Sequence, residues 1–365
     1  MIVELQNYNY EGGIMTMEKI TIGDHIIGNN DSPFIIAEAG VNHNGNIDNA
    51  LKMIEVAKIS GADAIKFQTF KADDLVADPD LTYTYTSQGK EITESMLTMF
   101  SRYEFSREQW IQIKQKCDQE EIIFLSSPSS VSDLELLLEL GIKAIKVGSD
   151  DFTSIPLLKE YSSTGLPMIL SCGMTNLTEI KETVDALNES EEYPIILLLC
   201  TSEYPTPPED VNLLKFNSLR DELKIPLGFS DHTQGTLASS LAVSMGSCVF
   251  EKHFTLDNKL PGPDHWFSEN PDGLKKWVDS IKKSYTMMGS EIVIPTKAEQ
   301  EMKLLARKSV VTLRDIKKDE ILDFQKIGIK RPGNGLPPKM LDQIIGKKAT
   351  KDLMKNELLE VGDYQ

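Results

Sequence analysis

The stretch PLGFSDHTQG, residues 226–235, contains a short apolar run that stops abruptly at an aspartate and a histidine. The same pattern returns in CVFEKHFTLD, residues 248–257, where the run stops at a lysine and a histidine. Both runs are almost continuously apolar rather than alternating, which is typical of a parallel strand covered on both faces. The two stretches therefore predict neighbouring parallel strands with polar groups at their carboxyl ends.

Six similar runs precede these two, and amphipathic helical segments separate them. The eight predicted strands are 34–38, 64–68, 122–126, 143–147, 167–171, 194–200, 226–230 and 248–252. Eight strand–helix units over about 255 residues predict a (β/α)8 TIM barrel, which usually needs about 250 residues. A doubly wound open sheet is the alternative, but no GxGxxG motif follows the first strand to support it.

The chain is predicted to contain two domains. The barrel domain should span 18–290, after a flexible tail at 1–17 and before a linker at 291–305. Residues 306–365 combine short strands with a PGNG turn and a PP break, so they should form a separate small domain.

The connection at 70–105, between the second and third strands, is irregular and long enough to be functional or to act as a lid. Two helices should begin with capping boxes, one formed by Ser106 with Gln109 and the other by Ser132 with Glu135.

Composition excludes several classes of partner. The formal net charge is −18, with 14 basic against 10 acidic residues in 301–365 and 24 against 46 before them. A nucleic-acid partner is not expected, because phosphate backbones need a basic surface. No apolar run approaches the 18 or so residues of a membrane span. The four cysteines show no paired spacing, which favours reduced thiols and a cytoplasmic location.

Charged residues within the predicted strands lie at their carboxyl ends, where TIM barrels carry their chemistry. They are Glu38, Lys66, Lys146, Asp231, Glu251 and Lys252. Burying such a group costs several kcal/mol unless it is paired or bound to a ligand, so a ring of them indicates a site. The alternative is a mutually paired ion network that closes the mouth of the barrel.

The residue types suggest roles at this site. Lys66 and Lys146 are suited to a ligand with phosphate and carboxylate groups. Hydroxyl donors for the same oxygens are Ser127, Ser149, Ser202 and Ser230. The candidate catalytic bases, or partners of metal ligands, are Glu38, Asp231 and Glu251.

Histidines end the last two strands. His232 and His253 can point at one spot and bind a divalent metal, with Mn²⁺ placed first and Mg²⁺ or Co²⁺ as alternatives. A hydrogen-bonded core histidine is the competing interpretation of His232. His43, in the loop after the first strand, is a candidate contact for substrate or metal-bound water. Cys172 and Cys200 also end strands, but no histidine and acid are placed around them to make a nucleophile.

These strand ends, taken together, resemble the sialic acid synthase family. The matching motifs are AEAGVNHNG, IKFQ, KVGS, CTSEYP, FSDHTQG, EKHFTLD, LPGPDH and RPGNG, in the family's order over about 300 residues. The last 60 or so residues look like the family's SAF domain, which is similar in fold to type III antifreeze proteins.

The resemblance implies a metal-dependent condensation of phosphoenolpyruvate with N-acetylmannosamine and water, giving N-acetylneuraminate and phosphate. By the same resemblance, the residues that hold phosphoenolpyruvate are Lys66, Lys146, Ser149, Ser202 and Ser230. His232 and His253 would hold the metal. Glu38 would be the catalytic base or the group that takes up and returns a proton.

The acceptor sugar is implied to contact Gln68, Tyr204 and Asp264. Arg331, in KRPGNG, matches the arginine that reaches the sugar's N-acyl group from the partner chain. A domain-swapped homodimer is therefore expected.

Three departures from the family pattern leave the acceptor open. They are SSPS at 126–129, GSDD at 148–151 and WFSENP at 266–271. A 2,4-diacetamido-6-deoxy hexose, giving legionaminic- or pseudaminic-type acids, is one alternative acceptor. N-Acetylmannosamine 6-phosphate is another, and it should need an extra cation near 70–105, where only Lys71 and Lys90 are available. The non-enzyme alternative is a sugar-acid sensor, while the charged segments RDIKKDE and GKKATKD argue against ice binding.

Overall fold

The computed structural model describes residues 19–28, 31–189 and 192–365. The chain divides into two units, Met1–Gly289 and Ser290–Gln365. The predicted tail at 1–17 lies outside the described residues.

Twelve strands lie in the described part of the first unit. They are β1 (Ile20–Ile22), β2 (His25–Ile27), β3 (Phe34–Gly40), β4 (Ala64–Thr69), β5 (Thr82–Ser87), β6 (Lys90–Ser95), β7 (Ile123–Pro128), β8 (Ile145–Val147), β9 (Met168–Ser171), β10 (Ile195–Cys200), β11 (Leu227–Ser230) and β12 (Val249–His253). Eight of these form one parallel sheet in the order β7-β4-β3-β12-β11-β10-β9-β8. The last strand, β12, pairs with the first, β3, and β7 lies beside β8, so the sheet is a nearly closed barrel.

Helices follow the strands in the order expected for a TIM barrel. In the described part of the first unit they are α1 (Ile47–Ser60), α2 (Ala72–Leu75), α3 (Met96–Ser101), α4 (Arg107–Gln119), α5 (Val131–Glu139), α6 (Ile155–Ser162), α7 (Leu177–Leu187), α8 (Lys215–Glu222), α9 (Leu237–Ser244) and α10 (Pro271–Met288). The predicted barrel is confirmed, and the open sheet is excluded because its first and last strands would not pair.

The amino-terminal end of the barrel is filled by apolar side chains. The antiparallel hairpin β1–β2 brings Ile20, Ile22 and Ile27 into a cluster with residues inside the barrel, including Phe34 and Leu198. This hairpin was not predicted from the sequence. It packs at the end of the barrel opposite to the polar strand ends.

The connection at 70–105 is more regular than predicted. It contains α2, the antiparallel hairpin β5–β6 and α3, and Phe70, Met99 and Tyr103 belong to an apolar cluster of its own. The segment TYTYT at 82–86 shows the alternation of a strand with one polar face, a signal that the prediction of an irregular loop overlooked.

One of the two predicted capping boxes is confirmed. Ser106 and Gln109 form both reciprocal hydrogen bonds at the start of α4. The prediction for Ser132 is wrong, because the cap of α5 is Ser130, which accepts a hydrogen bond from the backbone N–H of Asp133. The helix therefore begins two residues earlier than predicted.

The second unit is small and has its own core. Its regular elements are α11 (Lys297–Ala306), β13 (Ser309–Thr312), β14 (Ile327–Lys330) and α12 (Leu341–Ile344). β13 and β14 pair antiparallel around a cluster that includes Val310, Ile327 and Leu359. Within the described residues of the chain, no helix has the length and apolar character needed to cross a membrane.

Candidate active site

A cavity of about 540 Å³ opens at the carboxyl ends of the barrel strands. Twelve residues predicted for the site line it: Glu38, Lys66, Gln68, Ser127, Lys146, Ser149, Ser202, Tyr204, Ser230, His232, Glu251 and His253. They come together because parallel strands of a barrel all end at the same rim. The barrel thus collects residues that are more than 200 positions apart in the chain.

Two lysines and two glutamates form the charged floor of the cavity. Lys66 Nζ lies 2.9 Å from Glu38 Oε1 and 4.0 Å from Glu251 Oε2, while Lys146 Nζ lies 3.7 Å from Glu251 Oε1. All four side chains are almost completely buried. We call these four residues the inner cluster.

The inner cluster is incompletely satisfied by protein groups. Within the described residues, Glu38 Oε2 and Glu251 Oε2 are buried without a hydrogen-bond partner. A network that served only to close the barrel mouth should pair such oxygens, because an unpaired buried polar group costs about 1–3 kcal/mol. The unused oxygens therefore favour a ligand site over the alternative of a purely structural ion network.

The two glutamates of the inner cluster differ in acidity. Burial raises the pKa of Glu38 to about 7, with Lys66 opposing the shift and Glu251 adding to it. Burial also acts to raise the pKa of Glu251, but Lys146 and Lys66 outweigh it and lower that pKa below its usual value. Glu38 is thus the carboxyl that can hold a proton near neutral pH.

Serine hydroxyls surround the lysines. Lys66 Nζ donates to Ser127 Oγ at 3.2 Å, and Lys146 Nζ donates to Ser171 Oγ at 2.7 Å. Ser230 Oγ donates to Glu251 Oε1 at 3.3 Å. Ser171, at the end of β9, was not among the predicted site residues.

Ser149 and Ser202 meet at a glycine that was also missed. The N–H of Gly173 donates to Ser149 Oγ at 3.0 Å. A Cβ on Gly173 would lie 2.6 Å from Ser149 Oγ and within overlap distance of Ser202 Oγ, so a larger residue would displace both hydroxyls. The motif SCGM at 171–174 contained this signal, because glycine is often required where a backbone closely approaches polar groups.

The two strand-end histidines face each other with ring centroids 5.6 Å apart. His232 Nδ1 lies 2.8 Å from the carbonyl oxygen of Thr201, so Nδ1 carries a proton. Burial acts to lower the pKa of His232, but Cys200 and the Thr201 carbonyl outweigh it and raise that pKa above its usual value. Burial lowers the pKa of His253 well below its usual value, which keeps this imidazole neutral. Its Nδ1 is buried without a hydrogen-bond partner in the described residues.

These features fit a cation bound by two imidazoles. A neutral ring with a free nitrogen lone pair is the form that binds a metal, and a carbonyl acceptor on the other nitrogen is typical of such ligands. In residues 19–28, 31–189 and 192–365, no three or more His, Cys, Asp or Glu side chains are arranged to hold a metal ion. The residues that would hold such a cation are His232 and His253.

Asp231 lies outside the cavity, contrary to its prediction as a catalytic residue. Ser230 and His232 point inward, and because side chains alternate along a strand, Asp231 between them points outward. Its Oδ2 lies 3.2 Å from Lys252 Nζ and accepts a hydrogen bond from Ser239 of α9. The structure assigns Asp231 to packing between barrel and helices.

His43 also lies away from the cavity. Its ring stacks on Phe105 at a centroid distance of 4.3 Å, and its Nδ1 accepts a hydrogen bond from the N–H of Gly45. Burial lowers its pKa to about 3. The hypothesis that His43 contacts substrate or metal-bound water is therefore not supported.

Cys200 has a histidine neighbour that the sequence did not reveal. Its Sγ lies 3.8 Å from His232 Nδ1, and Ser149 Oγ contacts the same sulfur. Burial acts to raise its pKa, but His232 and Ser149 outweigh burial and lower it. By contrast, burial raises the pKa of Cys172 to about 12.

The candidate acceptor residues lie at one side of the cavity. Tyr204 packs against His232 with the two rings tilted and their centroids 4.1 Å apart, and Gln68 Nε2 donates to Glu38 Oε1 at 3.4 Å. Asp264 Oδ2 lies 3.9 Å from His253 Nδ1, and burial raises the pKa of Asp264 to about 6. Asp264 lines an adjoining hollow rather than the main cavity.

This adjoining hollow, of about 400 Å³, shares Gln68, Tyr204 and His253 with the main cavity. We call it the hairpin compartment. Its aromatic and methionine lining includes Tyr83 and Tyr85 of β5, Met96 and Phe100 of α3, and Trp266 and Phe267. None of these six residues is predicted for the site, because the connection at 70–105, which carries four of them, is predicted to be irregular.

Arg331 lies in the second unit, immediately after β14. Its side chain is exposed, and its Nε donates to the carbonyl oxygen of Ala306 at 3.0 Å. Its predicted role at the acceptor sugar of a partner chain stays a prediction.

The chain belongs to the NeuB family, whose model matches residues 53–293, and the SAF domain model matches residues 307–361. The resemblance inferred from the strand-end motifs is thereby confirmed, and the chain is an enzyme of the sialic acid synthase type.

Named relatives cover nearly the whole chain. The N,N'-diacetyllegionaminic acid synthase of Campylobacter jejuni is 41% identical over 330 residues, which are 89% of this chain and 98% of that protein. The enzyme of the same name from Legionella pneumophila is 38% identical over 88% of this chain and 91% of its own length. The crystal structure of the N-acetylneuraminic acid synthetase of Leptospira borgpetersenii, in complex with citrate, is 32% identical. It matches with a TM-score of 0.71 over 79% of this chain and 95% of that one.

Proposed function

We propose that this enzyme condenses phosphoenolpyruvate with a neutral N-acylated amino-hexose and water to give a nine-carbon 2-keto sugar acid and inorganic phosphate. The observation that carries the proposal is the inner cluster with its unused carboxylate oxygens, set beside serine hydroxyls and a pair of buried histidines in one cavity. The names of the relatives support the same class of product.

Phosphoenolpyruvate would bind over the two lysines. Lys66 and Lys146 offer buried positive charge, and the proposed hydroxyl donors to its phosphate and carboxylate are Ser127, Ser149, Ser202 and Ser230. Ammonium and hydroxyl donors bind such oxygens strongly in a dry site, where charge-assisted hydrogen bonds are strongest. Binding an anion here would also explain why two lysines are buried at the floor of the cavity.

The condensation requires a group that can hold and return a proton. A bond forms between C3 of phosphoenolpyruvate and the aldehyde carbon of the sugar, water adds at C2, and phosphate leaves by cleavage of the C2–O bond. The added water loses two protons in all: one balances the proton gained by the aldehyde oxygen, and the other leaves with the phosphate as the C2 carbonyl forms. Glu38, whose pKa is raised to about 7, is suited to this transfer, and Glu251 keeps the lysines charged beside it.

His232 and His253 would hold a divalent cation, with Mn²⁺ proposed first and Mg²⁺ or Co²⁺ as alternatives. When bound, such a cation supplies Lewis-acid polarisation of the acceptor aldehyde. Tyr204, whose ring packs at a tilt against His232 and edge-on against His253, would keep the two rings in place.

The charges around the acceptor residues argue against a phosphorylated sugar. Lys71 is already paired with Glu104 at 3.0 Å. Lys90 lines a separate hollow near the tip of the hairpin. The described lining of the hairpin compartment includes neither lysine nor arginine, so a 6-phosphate would have no cation there. N-Acetylmannosamine and a 2,4-diacetamido-6-deoxy hexose, both neutral, remain the two candidate acceptors.

The test of the function is phosphate release from phosphoenolpyruvate with Mn²⁺ across a panel of these sugars, with and without a chelator. We expect release only when an acceptor is present, and its loss on chelation. His232→Ala should abolish metal-dependent turnover and also weaken Mn²⁺ binding measured directly by electron paramagnetic resonance. Sugar binding without any phosphate release would instead favour the non-enzyme alternative, a sugar-acid sensor.

A domain-swapped homodimer is part of the proposal. Large apolar side chains are exposed around α11 within the second unit, including Ile294, Met302 and Leu305, which supports an interface there. If Arg331 of the partner subunit contacts the acceptor, Arg331→Ala should raise the KM of the sugar and leave that of phosphoenolpyruvate unchanged. Mixing Arg331→Ala with His232→Ala subunits should then recover about a quarter of the activity, because one site in each mixed dimer is intact. No recovery in subunits shown to exchange would contradict the swap.

A cytoplasmic location is also proposed. All four cysteines, Cys117, Cys172, Cys200 and Cys248, are free and buried, which is usual for a protein in a reducing compartment.

A further inference from the structure

The sulfur of one of the four cysteines contacts polar side chains, whereas the other three cysteines pack in apolar clusters. Cys117 and Cys172 belong to the cluster between the barrel and its helices, and Cys248 belongs to the cluster that includes the amino-terminal hairpin. Such positions are usual for a buried cysteine, which behaves as a small apolar residue. Cys200, at the end of β10, instead lines the active-site cavity. Packing therefore accounts for three of the cysteines but does not by itself account for Cys200.

The sulfur of Cys200 lies between two side chains that have different roles in the proposed function. On one side Ser149 Oγ, a proposed donor to phosphoenolpyruvate, donates to the sulfur at 3.6 Å. On the other side His232 Nδ1, on a ring proposed to hold the cation, lies 3.8 Å from the same sulfur. One atom thus joins the phosphate region of the cavity to the metal region. Sulfur is a weak acceptor, so a change at either end can shift the hydrogen bonding at the other.

The backbone holds both neighbours of the sulfur independently. The N–H of Gly173 donates to Ser149 Oγ at 3.0 Å. The carbonyl oxygen of Thr201, the residue after Cys200, lies 2.8 Å from His232 Nδ1. The places of the serine oxygen and of the imidazole ring therefore do not depend on the sulfur alone. What the sulfur controls is the direction of the serine O–H and a share of the hydrogen bonding of Nδ1.

The O–H of Ser149 is needed in two places. A serine has a single O–H to donate, and here it is directed at the sulfur of Cys200. To bind a phosphate oxygen, the same O–H must turn away from the sulfur. The Nδ1–H of a His232 ring that holds a cation on its other nitrogen is a stronger donor. Because two donors then share one weak acceptor, the serine O–H is held less firmly and is more readily available to phosphate.

We propose that Cys200 is a positioning residue that couples binding of the divalent cation to binding of phosphoenolpyruvate. The inference rests on the proposed function, which assigns the cation to His232 and His253 and the phosphate to Ser149 and its neighbours. Each ligand raises the affinity for the other, and the factor is the same in both directions. The share of this factor that depends on the sulfur is about two- to tenfold, the effect of one hydrogen bond. Direct attraction between cation and anion supplies the rest.

Calorimetric titration of the full-length enzyme measures this coupling without turnover. The Kd of phosphoenolpyruvate is determined with and without Mn²⁺, in the absence of sugar, and the ratio of the two values is the coupling factor. Cys200→Ala should lower this factor by about two- to tenfold. The reason is that the metal-free variant binds phosphoenolpyruvate more tightly, since the O–H of Ser149 is no longer held by the sulfur. An unchanged coupling factor would overturn the proposal.

Cys172→Ala is the matched control. It removes the same thiol group just after the adjacent strand β9, but from a side chain that packs in the outer apolar cluster. Its coupling factor should equal that of the wild type. If Cys172→Ala and Cys200→Ala lower the melting temperature and neither changes the coupling factor, Cys200 is a packing residue only, and the proposal is refuted.

A double-mutant cycle tests the route through Ser149. Ser149→Ala should weaken binding of phosphoenolpyruvate and lower the coupling factor. Adding Cys200→Ala should then bring no further loss of coupling, because the hydroxyl on which the sulfur acts is already gone. Losses that add would mean that Cys200 acts on His232 alone, which would overturn the proposed route.

Turnover separates this inference from the proposed function. Coupled binding that depends on Cys200, without phosphate release with any sugar, would refute the condensation and support the coupling. Normal phosphate release with an unchanged coupling factor in Cys200→Ala would refute the coupling alone. Absence of phosphoenolpyruvate binding, with and without Mn²⁺, would refute both.

Discussion

Two groups of buried charges lie on opposite sides of the same strand ends, and they are satisfied to different degrees. The inner cluster faces the cavity and leaves one oxygen of Glu38 and one of Glu251 without a hydrogen bond in the described residues. The outer pair, Asp231 with Lys252, faces the helices. There Asp231 accepts hydrogen bonds from Thr233 and Ser239, and Lys252 donates a hydrogen bond to the carbonyl oxygen of Thr233.

This difference separates two uses of a buried ion pair. Trp277 of α10 donates to Ser239, so the outer pair is tied through hydrogen bonds to both α9 and α10. Such a closed network fixes the strand ends that carry His232 and His253. Its residues use their hydrogen-bonding capacity within the protein rather than on a ligand. The inner cluster retains that capacity, and unused capacity in a buried site indicates binding more reliably than charge alone.

The largest expected effect comes from removing one lysine on each side. Lys66→Met should lower kcat/KM for phosphoenolpyruvate by about a hundredfold to a thousandfold, because a buried cation that contacts the substrate is lost. Lys252→Met, the matched change on the outer side, should leave kcat/KM within about tenfold and instead lower the free energy of unfolding. Steady-state kinetics and urea unfolding of both variants would check this. Equal losses of activity would remove the distinction between the two groups.

The eight strands could be predicted from the sequence because continuous apolar runs are a local property of the chain. The direction of Asp231 could also have been predicted locally. Side chains alternate along a strand, so Asp231 and His232 lie on opposite faces. Lys66 reaches Glu38 from the neighbouring strand β4, but the contact of Glu38 with the region of Glu251 could not be predicted in detail, because β12 reaches β3 only through the closure of the barrel. The packing of the β1–β2 hairpin, with Ile20, at the amino-terminal end of the barrel also depends on strands that are distant in the sequence.

A smaller effect is expected when the outer pair is broken and then removed. Asp231→Asn leaves Lys252 buried with a reduced counter-charge, which should lower the free energy of unfolding by about 3–5 kcal/mol. The double variant Asp231→Asn, Lys252→Met removes both charges and should recover part of that loss. Urea unfolding at fixed pH gives both values. A double variant that loses the sum of the two single losses would show that the charges do not act as a pair.

The smallest expected effect is a difference in how stability depends on pH, and it compares the two glutamates of the inner cluster. The pKa of Glu38 is raised from 4.5 to about 7, so between these values the folded state holds a proton that the unfolded state has lost. Stability therefore falls as the pH rises through this window, and the cost is complete above pH 7. Glu38→Gln cannot titrate, so relative to the wild type it should gain about 2–3 kcal/mol of unfolding free energy between pH 5 and pH 8.

Glu251→Gln should behave in the opposite way, because Lys146 and Lys66 outweigh burial and lower the pKa of Glu251. A lowered pKa contributes stability at neutral pH that is lost as the pH falls through the folded value, so this variant should be less stable than the wild type at pH 7 and approach it in acid. Urea unfolding of the two variants and the wild type at several pH values measures both trends. If both variants shifted the free energy of unfolding in the same direction relative to the wild type, the two glutamates would share the charge of the inner cluster evenly. Opposite signs would leave Glu38 as the carboxyl that carries the exchangeable proton, which is the role that the condensation requires of it.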